Sequence, residues 1–593
     1  MSSSKSGLDQ VTLTVIDNAI GTVCMEMAAA MRRTAYSPIF NEGLDFTCVA
    51  FDRHGELIGQ AEMNPALIAP GLFGMRWLLE EVGLDTFEPG DVVAMNDPYR
   101  GCAHLPEHTL VRPIFHGGKL VGFTGVVAHV SEIGGMAVGS FAADAVDVFQ
   151  EGLRIPPVHL MRRGEYVKDV WRILLSNHRT PDTSWGDFHA MLGALHTGDR
   201  RMVALIDRYG VERFEAATKE LCDHAERWVR TAIRGLPNGT FAFEDRMDDD
   251  GAGAGPIIFR VAVTIAGDEV LVDYTGTAPQ TKGPINTTYV VAASAAYNAI
   301  FQLIGPHVPR NGGTYRPITI VAPPGSAVNV AYPGPSVGGQ TETHPRLLDM
   351  IEGGALSQAL PERVAAAGGG SSCNFLFGGV HPDTGDYYAH YHFEGIGWGG
   401  RFSTDGNESQ CVPHGNCQNT PVEILETRYP LLHECYALRT DSGGAGRTRG
   451  GRGTRRMFKI RAPEMRVSAL FDRTESHPWG LFGGLEGDNA RVLVRRVGDT
   501  QFRTFAAAFG KISASKFTNV VLKEGDEVLI DSPGGGGYGS PLERPPEVVA
   551  RDVSIGAVSV EAARELYRVV VKGEQGAVSV DEVATRALRE ISL

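Results

Sequence analysis

The sequence predicts a multi-domain protein of mixed α/β or α+β class, with mixed sheets and a glycine-rich, β-rich C-terminal half. Its 593 residues correspond to about three to five domains. Helical and strand periodicities alternate through the first half, whereas strand-like runs dominate from residue 370 to 540. The chain carries 73 glycines and 33 prolines without a Gly-X-Y period, which indicates many turns and close backbone contacts rather than collagen.

Composition and charge exclude several classes of protein. Apolar residues make up 43% and charged residues 21% of the chain, which is typical of a globular protein and not of a disordered one. No apolar run reaches about 18 residues, and the N-terminus lacks a secretory pattern. A net charge of −15 without a basic stripe argues against nucleic-acid binding. Eight cysteines without a CxxC pair favour a reduced, cytoplasmic protein. Neither nucleic acid nor a membrane is an expected partner.

The first predicted domain, residues 1–236, alternates helices and hairpins. Apolar side chains recur at helical spacing near the N-terminus, and Arg53-His54-Gly55 and His116-Gly117-Gly118 mark hairpin turns. The predicted elements are a helix over 11–33, a hairpin over 46–62, a helix over 71–83, a strand over 91–97, a hairpin over 109–130, and helices over 168–177, 186–208 and 214–235.

Three further domains are predicted after a turn at residue 236. A central α/β region covers 237–369, a glycine-rich β region covers 370–544, and a helical tail covers 545–593. The elements expected in the central region are strands over 255–264 and 269–274 and helices over 288–304 and 345–360. The tail is predicted to contain helices over 558–571 and 580–591.

His104, Glu107 and His129 form the sharpest candidate site. His104 and Glu107 are three residues apart, and His129 closes the second strand of the predicted hairpin. Two imidazoles and one carboxylate suit Zn²⁺ or Mn²⁺, and also Fe²⁺, and leave an open position for water or substrate. His108 is a further candidate, as a fourth ligand or as a donor to a ligand. The alternative is that these polar residues only occupy a turn and a strand.

Other polar residues leave two interpretations open. The run 411–417 (CVPHGNC) resembles half a metal knuckle, but without a second half a glycine-rich loop with buried thiols is favoured. His390 and His392 share one face of a strand, as a ligand pair or, more simply, as a polar face. Glu151 is either a general base or a salt-bridge partner.

The chain has no GxxxxGK[ST] loop, so a reaction that needs ATP would use a partner that binds it.

Ordered motifs over most of the chain carry a family resemblance. They include RRTAYSP (32–38), DFTCVAFD (45–52), GDVVAMNDPYRG (90–101), HLPEHTL (104–110), NTPVEILE (419–426) and DSGGAGRTRGGRG (441–453). From about residue 9 to 567 the chain resembles the B subunit of ATP-dependent hydantoinases and oxoprolinases, which is related to the α subunit of acetone carboxylase.

The resemblance implies a division of labour within a hetero-oligomer. An A-type subunit with an actin-like ATPase fold phosphorylates the carbonyl oxygen of a cyclic amide, and the B-type subunit completes ring opening at a divalent metal. The family's metal ligands map onto His104, Glu107 and His129. Asp97 and His108 are then expected beside the ligands, and Glu151 is a candidate acid or base. Hydantoin, N-methylhydantoin and 5-oxoproline are the expected kinds of substrate.

Three positions depart from the family pattern, and two alternative functions stay open. Glu107 stands where the family usually has Asp, and Val130 and Leu67 stand where it often has His. These departures leave the metal open, together with the choice between hydrolysis and carboxylation. One alternative is an α-type subunit of an ATP-dependent ketone carboxylase. The other is an assembly subunit with a degenerate site.

Overall fold

The computed structural model describes residues 8–590 except 62, 574, 575 and 577. It confirms a mixed α+β chain with several sheets. Residue 62, at the end of the first predicted hairpin, and residue 591, at the end of the last predicted helix, lie outside the described residues. The outermost residues of the first and last predicted domains, 1–7 and 591–593, do so as well.

The N-terminal region is a seven-stranded antiparallel sheet with helices packed on it. The strand order is β2-β1-β5-β4-β3-β6-β7, so β5 lies between β1 and β4. Its elements are α1 (Gln10–Thr34), α2 (Pro38–Asn41), β1 (Phe46–Asp52), β2 (Leu57–Gln60), α3 (Ile68–Val82), β3 (Val92–Met95), β4 (Glu107–His116), β5 (Lys119–His129), β6 (Val158–Arg162), β7 (Glu165–Tyr166), α4 (Lys168–Ser176), α5 (Pro181–Tyr209) and α6 (Val211–Arg234).

Helix α1 covers one side of this sheet. Its spacing places Ile16, Ile20 and Met27 on one buried face, and the helix packs along α5. Among the described helices, α1 alone is long and apolar enough to cross a membrane by length and composition. Its buried face packs in the same core as Phe188 of α5 and Phe46 of β1.

The central region has a four-stranded sheet, ordered β11-β10-β9-β8, in which only β10 and β11 are parallel. Its elements are β8 (Gly239–Met247), β9 (Ile257–Ala266), β10 (Glu269–Asp273), α7 (Tyr289–Ile304), β11 (Ile318–Val321) and α8 (His344–Asp349). The segment predicted as a helix over 345–360 is helical but irregular, because α8 is flanked by π-helical turns at Gly339–Thr343 and Met350–Ala355. Pro345 cannot donate a backbone hydrogen bond, which favours an irregular start.

The glycine-rich region forms two antiparallel sheets around one core. Their strand orders are β13-β12-β16-β19 and β14-β15-β20-β17-β18, with Phe375, Phe458 and Phe517 between them. The elements are β12 (Asn374–Val380), β13 (Tyr387–His392), α9 (Val422–Arg428), β14 (Leu431–Leu438), β15 (Thr454–Ile460), β16 (Glu464–Leu470), β17 (Arg491–Arg495), β18 (Arg503–Thr504), α10 (Phe505–Phe509), β19 (Lys516–Lys523) and β20 (Glu527–Asp531).

Glycines in the loops of this region allow backbone to pack directly on backbone. A Cβ added at Gly450 would lie 1.9 Å from the carbonyl oxygen of Gly535, and one at Gly399 would lie 1.8 Å from that of Ala366. No real Cβ tolerates such a contact, so only glycine fits. The high glycine content therefore reflects close chain crossings, as the composition predicts.

The tail packs on the rest of the chain. Val549, Val553 and Tyr567 form a small core with Ala445 of the glycine-rich region. Its elements are α11 (Pro546–Ser554), α12 (Val560–Glu565), β21 (Val571–Lys572), β22 (Ser579–Val580) and α13 (Glu582–Glu590). The sequence analysis missed α11, which begins with a proline at its first position.

We expect Gly450→Ala to unfold the chain at a much lower temperature than the wild type, because its methyl group has no space against Gly535. The matched control is Gly193→Ala at an exposed position of α5, where an added Cβ meets no atom within 4 Å. That change should stabilise the fold by up to about 1 kcal/mol. Thermal denaturation followed by circular dichroism measures both, and an unchanged melting temperature for Gly450→Ala would contradict the packing described here.

Candidate metal centre

Because of strand register, two carboxylates and one imidazole lie together at one end of the neighbouring strands β1, β5 and β4, and these strand ends form one edge of the N-terminal sheet. Glu107, the first residue of β4, pairs directly with His129, the last residue of β5. On the other side of β5, the backbone N–H of His129 donates to the carbonyl oxygen of Asp45 at 3.1 Å, just before β1 begins. Directly paired residues on neighbouring strands point to the same face. The register thus brings Glu107, His129 and Asp45 together.

His104 reaches the same edge from the turn before β4. The backbone N–H of Glu107 donates to the carbonyl oxygen of His104 at 3.0 Å, which closes this turn. The imidazole rings of His104 and His129 have centroids 5.0 Å apart. Nδ1 of His104 lies 3.0 Å from the carbonyl oxygen of Val337. A proton on Nδ1 satisfies this carbonyl and leaves Nε2 as the atom available to a metal.

A small cavity lies in front of these imidazoles. Its volume is about 40 Å³, which is room for an ion with one or two small ligands. Asp45, His104 and His129 line it, whereas Glu107 does not reach its surface. The remaining lining residues come from all three major regions of the chain: Asn64, Leu67, Gln340, Thr341, Ser372, Tyr391, Phe393, Cys411, Val412, His414, Gly415 and Cys417.

Burial sets the charge of the site. It lowers the pKa of His104 to about 4, and burial beside His104 and His108 holds the pKa of His129 well below its usual range. Both imidazoles are therefore neutral at pH 7, the form that binds metals. Burial raises the pKa of Asp45 to about 6, and burial together with the nearby Asp45 raises that of Glu107 to about 8. A cation would relieve this cost.

Two potential ligand atoms lack a hydrogen-bond partner. Nε2 of His129 and Oε2 of Glu107 are both buried and unpaired, although buried polar atoms are nearly always satisfied. Their chemistry fits a divalent cation. Among the described residues, no group of three or more His, Cys, Asp or Glu side chains is already arranged to hold an ion. Binding would therefore require side chains such as His129, whose ring contacts those of both Phe141 and Tyr391, to rotate.

Glu151 lies outside the cavity and supports it. Its Oε1 accepts hydrogen bonds from the backbone N–H groups of Ser336 at 2.7 Å and Val337 at 2.8 Å. Because the carbonyl of Val337 contacts His104, this carboxyl holds the segment that orients the imidazole. Burial raises the pKa of Glu151 to about 8. The predicted acid or base role stays a prediction, and the contacts shown are those of a positioning residue.

Asp97 and His108 also lie outside the cavity lining. Asp97 accepts a hydrogen bond from the backbone N–H of Tyr99 at 3.0 Å, so it stabilises a turn. It also forms an ion pair with Arg154 at 3.2 Å. His108 follows Glu107 on β4, and its ring packs edge-on against Phe188 with centroids 5.3 Å apart. Strand alternation turns it away from the face that carries Glu107. Their catalytic roles stay predictions.

The sequence analysis missed several lining residues. Asp45 stands in the quoted motif DFTCVAFD, but only the pairing of β1 with β5 reveals that it lies beside His129. Its Oδ1 accepts a hydrogen bond from Asn64 at 2.6 Å. The run 411–417 is a loop, as favoured, and it forms one wall of the cavity. Nothing in local spacing signals that this loop approaches residues more than 280 positions earlier.

Comparison with known proteins decides the family. A family model described as hydantoinase B/oxoprolinase matches residues 9–541. This chain belongs to the hydantoinase B/oxoprolinase family. The β subunit of caprolactamase from Pseudomonas jessenii is 33% identical over 594 residues, which cover 98% of this chain and 99% of that protein.

Solved structures agree with the family and the fold. The crystal structure of ATP-dependent caprolactamase from Pseudomonas jessenii matches with a TM-score of 0.89 and 31% identity, covering 98% of this chain and 100% of that chain. The nucleotide-free structure of acetone carboxylase matches with a TM-score of 0.88 and 19% identity, covering 98% of this chain and 83% of that chain. At that identity the second match shows the fold alone.

The departures from the family pattern fall in different environments. Leu67 lines the cavity and gives it an apolar wall. Val130 is buried in the core shared by α1 and α5, outside the cavity lining. Of these two positions, only Leu67 lies on the surface of the cavity.

The raised pKa of Glu107 makes the stability of the metal-free chain depend on pH. Its carboxyl keeps its proton in the folded state up to pH of about 8 but loses it in the unfolded chain above its ordinary pKa of 4.5. The free energy of unfolding should therefore fall as pH rises between these values. Glu107→Gln cannot ionise, so we expect its loss of stability between pH 5 and 8 to be smaller by a few kcal/mol at most, about 1.4 kcal/mol for each unit of pKa shift.

Urea unfolding in the presence of a chelator at pH 5 and pH 8 measures this difference. The exposed Glu165→Gln is the matched control and should follow the wild type. If Glu107→Gln and the wild type lost equal stability over this range, the carboxyl of Glu107 would not be buried and protonated as described.

Two substitutions separate the roles open to Glu151. Glu151→Gln keeps the oxygen that accepts from Ser336 and Val337, so we expect metal affinity close to that of the wild type. Glu151→Ala removes it and should weaken metal binding by about 10–100-fold, as is usual when a residue that orients a ligand is lost. Titration with a divalent metal measures both affinities. A Glu151→Gln variant that binds metal normally but has no catalytic activity would instead make Glu151 an acid or base.

Proposed function

We propose that this chain is the B-type subunit of an ATP-dependent cyclic amide hydrolase. It would complete the ring opening of a substrate that an A-type partner has phosphorylated. The similarity to the caprolactamase β subunit over nearly the whole chain supports the reaction class. The observation that carries the site is the convergence of His104, His129, Glu107 and Asp45 at one edge of the sheet.

His104, Glu107 and His129 are the proposed metal ligands, and Asp45 is a fourth candidate. Two imidazole nitrogens and two carboxylates suit Zn²⁺, Mn²⁺ or Fe²⁺. Such an ion, when bound, lowers the pKa of a water ligand or polarises a carbonyl oxygen. The hydrogen bond from Asn64 to Asp45 and the contact of His104 with Val337 would hold the donors in orientation.

His414 offers a hydrogen-bond acceptor in the lining of the cavity. Its Nε2 lies 3.2 Å from the carbonyl oxygen of Gln340, so Nε2 donates, while Nδ1 is buried and unpaired. Burial lowers the pKa of His414 to about 3, which keeps the ring neutral. Nδ1 can then accept a hydrogen bond and orient an attacking water. Apolar groups of Leu67, Val412 and Tyr391 restrict access by bulk water.

The division of labour follows from what a cyclic amide needs. An amide carbonyl is a poor electrophile, and phosphorylation of its oxygen makes the ring carbon open to attack by water. We infer that an A-type subunit with an ATPase fold performs this step, because this sequence has no P-loop motif. The two chains would act as a hetero-oligomer.

The proposed function is tested by purifying this chain together with its A-type partner. We expect ring opening of a cyclic amide, from a panel of hydantoin, N-methylhydantoin, 5-oxoproline and caprolactam, that depends on ATP and on both chains but not on bicarbonate. Turnover of a ketone that requires bicarbonate would establish a carboxylase instead. Turnover by this chain alone would remove the need for a partner.

Removal of one imidazole tests the metal site. His129→Ala should lose bound divalent metal and the activity of the complex, while circular dichroism shows a retained fold, since a single polar side chain rarely supports a chain of this size. The matched control is His116→Ala on the same hairpin, where the partly exposed imidazole pairs with Asp207 at 2.8 Å. Elemental analysis measures the metal, and unchanged metal content in His129→Ala would contradict the assignment.

A further inference from the structure

Two cysteine thiols form part of the wall of the metal cavity. Cys411 and Cys417 both line it, together with His104 and His129. They stand at the two ends of the loop 411–417, which turns through the hydrogen bond from the N–H of Gly415 to the carbonyl oxygen of Val412 at 2.8 Å.

The loop brings both sulfur atoms to the same glycine. A Cβ added at Gly415 would lie 2.4 Å from Sγ of Cys411, so this sulfur rests directly on the glycine. Sγ of Cys417 donates to the carbonyl oxygen of Gly415 at 3.3 Å. Both sulfur atoms thus lie against the same residue of one short loop, so a disulfide, with its sulfur atoms about 2.05 Å apart, requires a movement of this loop only.

The same thiols touch the residues that hold Asp45. The side-chain amide of Asn64 lies 3.7 Å from Sγ of Cys417 and 2.6 Å from Oδ1 of Asp45. A change at Cys417 is thus transmitted through Asn64 to Asp45, a proposed metal ligand.

We propose that Cys411 and Cys417 form a reversible disulfide that switches the metal site off under oxidising conditions. The oxidant is a small peroxide. Hydrogen peroxide oxidises the thiol of Cys411 to a sulfenic acid and releases one water, and the thiol of Cys417 attacks that sulfur, forms the S–S bond and releases another water. Two electrons pass from the two thiols to the peroxide. A dithiol reductant reverses the step.

The predicted consequence is a weaker metal site. Formation of the S–S bond draws Sγ of Cys417 towards Cys411 and away from Asn64, which donates to Asp45. Loss of such contacts to a ligand usually weakens metal binding by about tenfold or more. This consequence rests on the proposed function, whereas formation of the disulfide does not.

Peptide mapping of the full chain tests the disulfide without any assay of activity. Arg401 and Arg428 bracket a single tryptic peptide that contains both cysteines. After treatment with hydrogen peroxide and alkylation of free thiols, we expect this peptide to carry no alkyl group and to show the mass of an internal disulfide. Dithiothreitol should restore alkylation at both positions. Cys435, which is partly exposed and outside the cavity lining, should remain alkylated.

Two variants complete the test. In Cys417→Ser, Cys411 has no partner and should appear as a sulfenic acid or a higher oxide, whereas Cys435→Ser should form the disulfide as the wild type does. Metal titration of oxidised wild type should show an affinity about tenfold lower than that of the reduced chain, with recovery after reduction. Full alkylation of both cysteines after peroxide, or pairing of either one with Cys435, would overturn the proposal. A disulfide that forms without any change in metal affinity would overturn only the switch.

Discussion

The antiparallel register of three neighbouring strands is the constraint on which the site depends. Because Glu107 pairs with His129, and His129 lies beside Asp45, three donors from distant parts of the sequence face the same way. A slip of one residue in either strand pair would turn its donor to the opposite face. The turn before β4 then needs only to supply His104. The backbone hydrogen bonds between the strands thus position these side chains.

The rest of the fold completes the cavity from the opposite side. The segment 336–341, between the central sheet and α8, contacts His104 through Val337 and supplies Gln340. The glycine-rich region adds Tyr391 and the loop 411–417. Its close chain crossings, such as Gly450 against Gly535, fix the loops of this region without side chains between them. The site therefore lies where three regions meet, which is a common location for a ligand site.

Much of this architecture is readable from the sequence, and the limits have physical causes. The helices α1, α5 and α6 and the hairpin β4–β5 follow from periodicity and turn residues, because these signals are local. The irregular turns around α8 were not predictable from local signals, since α8 carries the buried Arg346, which pairs with Asp245 of β8 and with Asp472, two residues after β16. His104, Glu107 and His129 stand close in sequence or on one hairpin, so spacing suggested them. Asp45, His414 and the two cavity cysteines are brought there only by tertiary contacts.

The metal site is tested most directly by anomalous diffraction from crystals of the chain grown with a divalent metal, measured at the absorption edge of that metal. We expect one strong peak in the cavity, within bonding distance of imidazole nitrogens of His104 and His129 and of carboxylate oxygens of Glu107 or Asp45. A chain that shows no peak there, or whose ion binds elsewhere while both imidazoles keep their positions, would contradict this expectation.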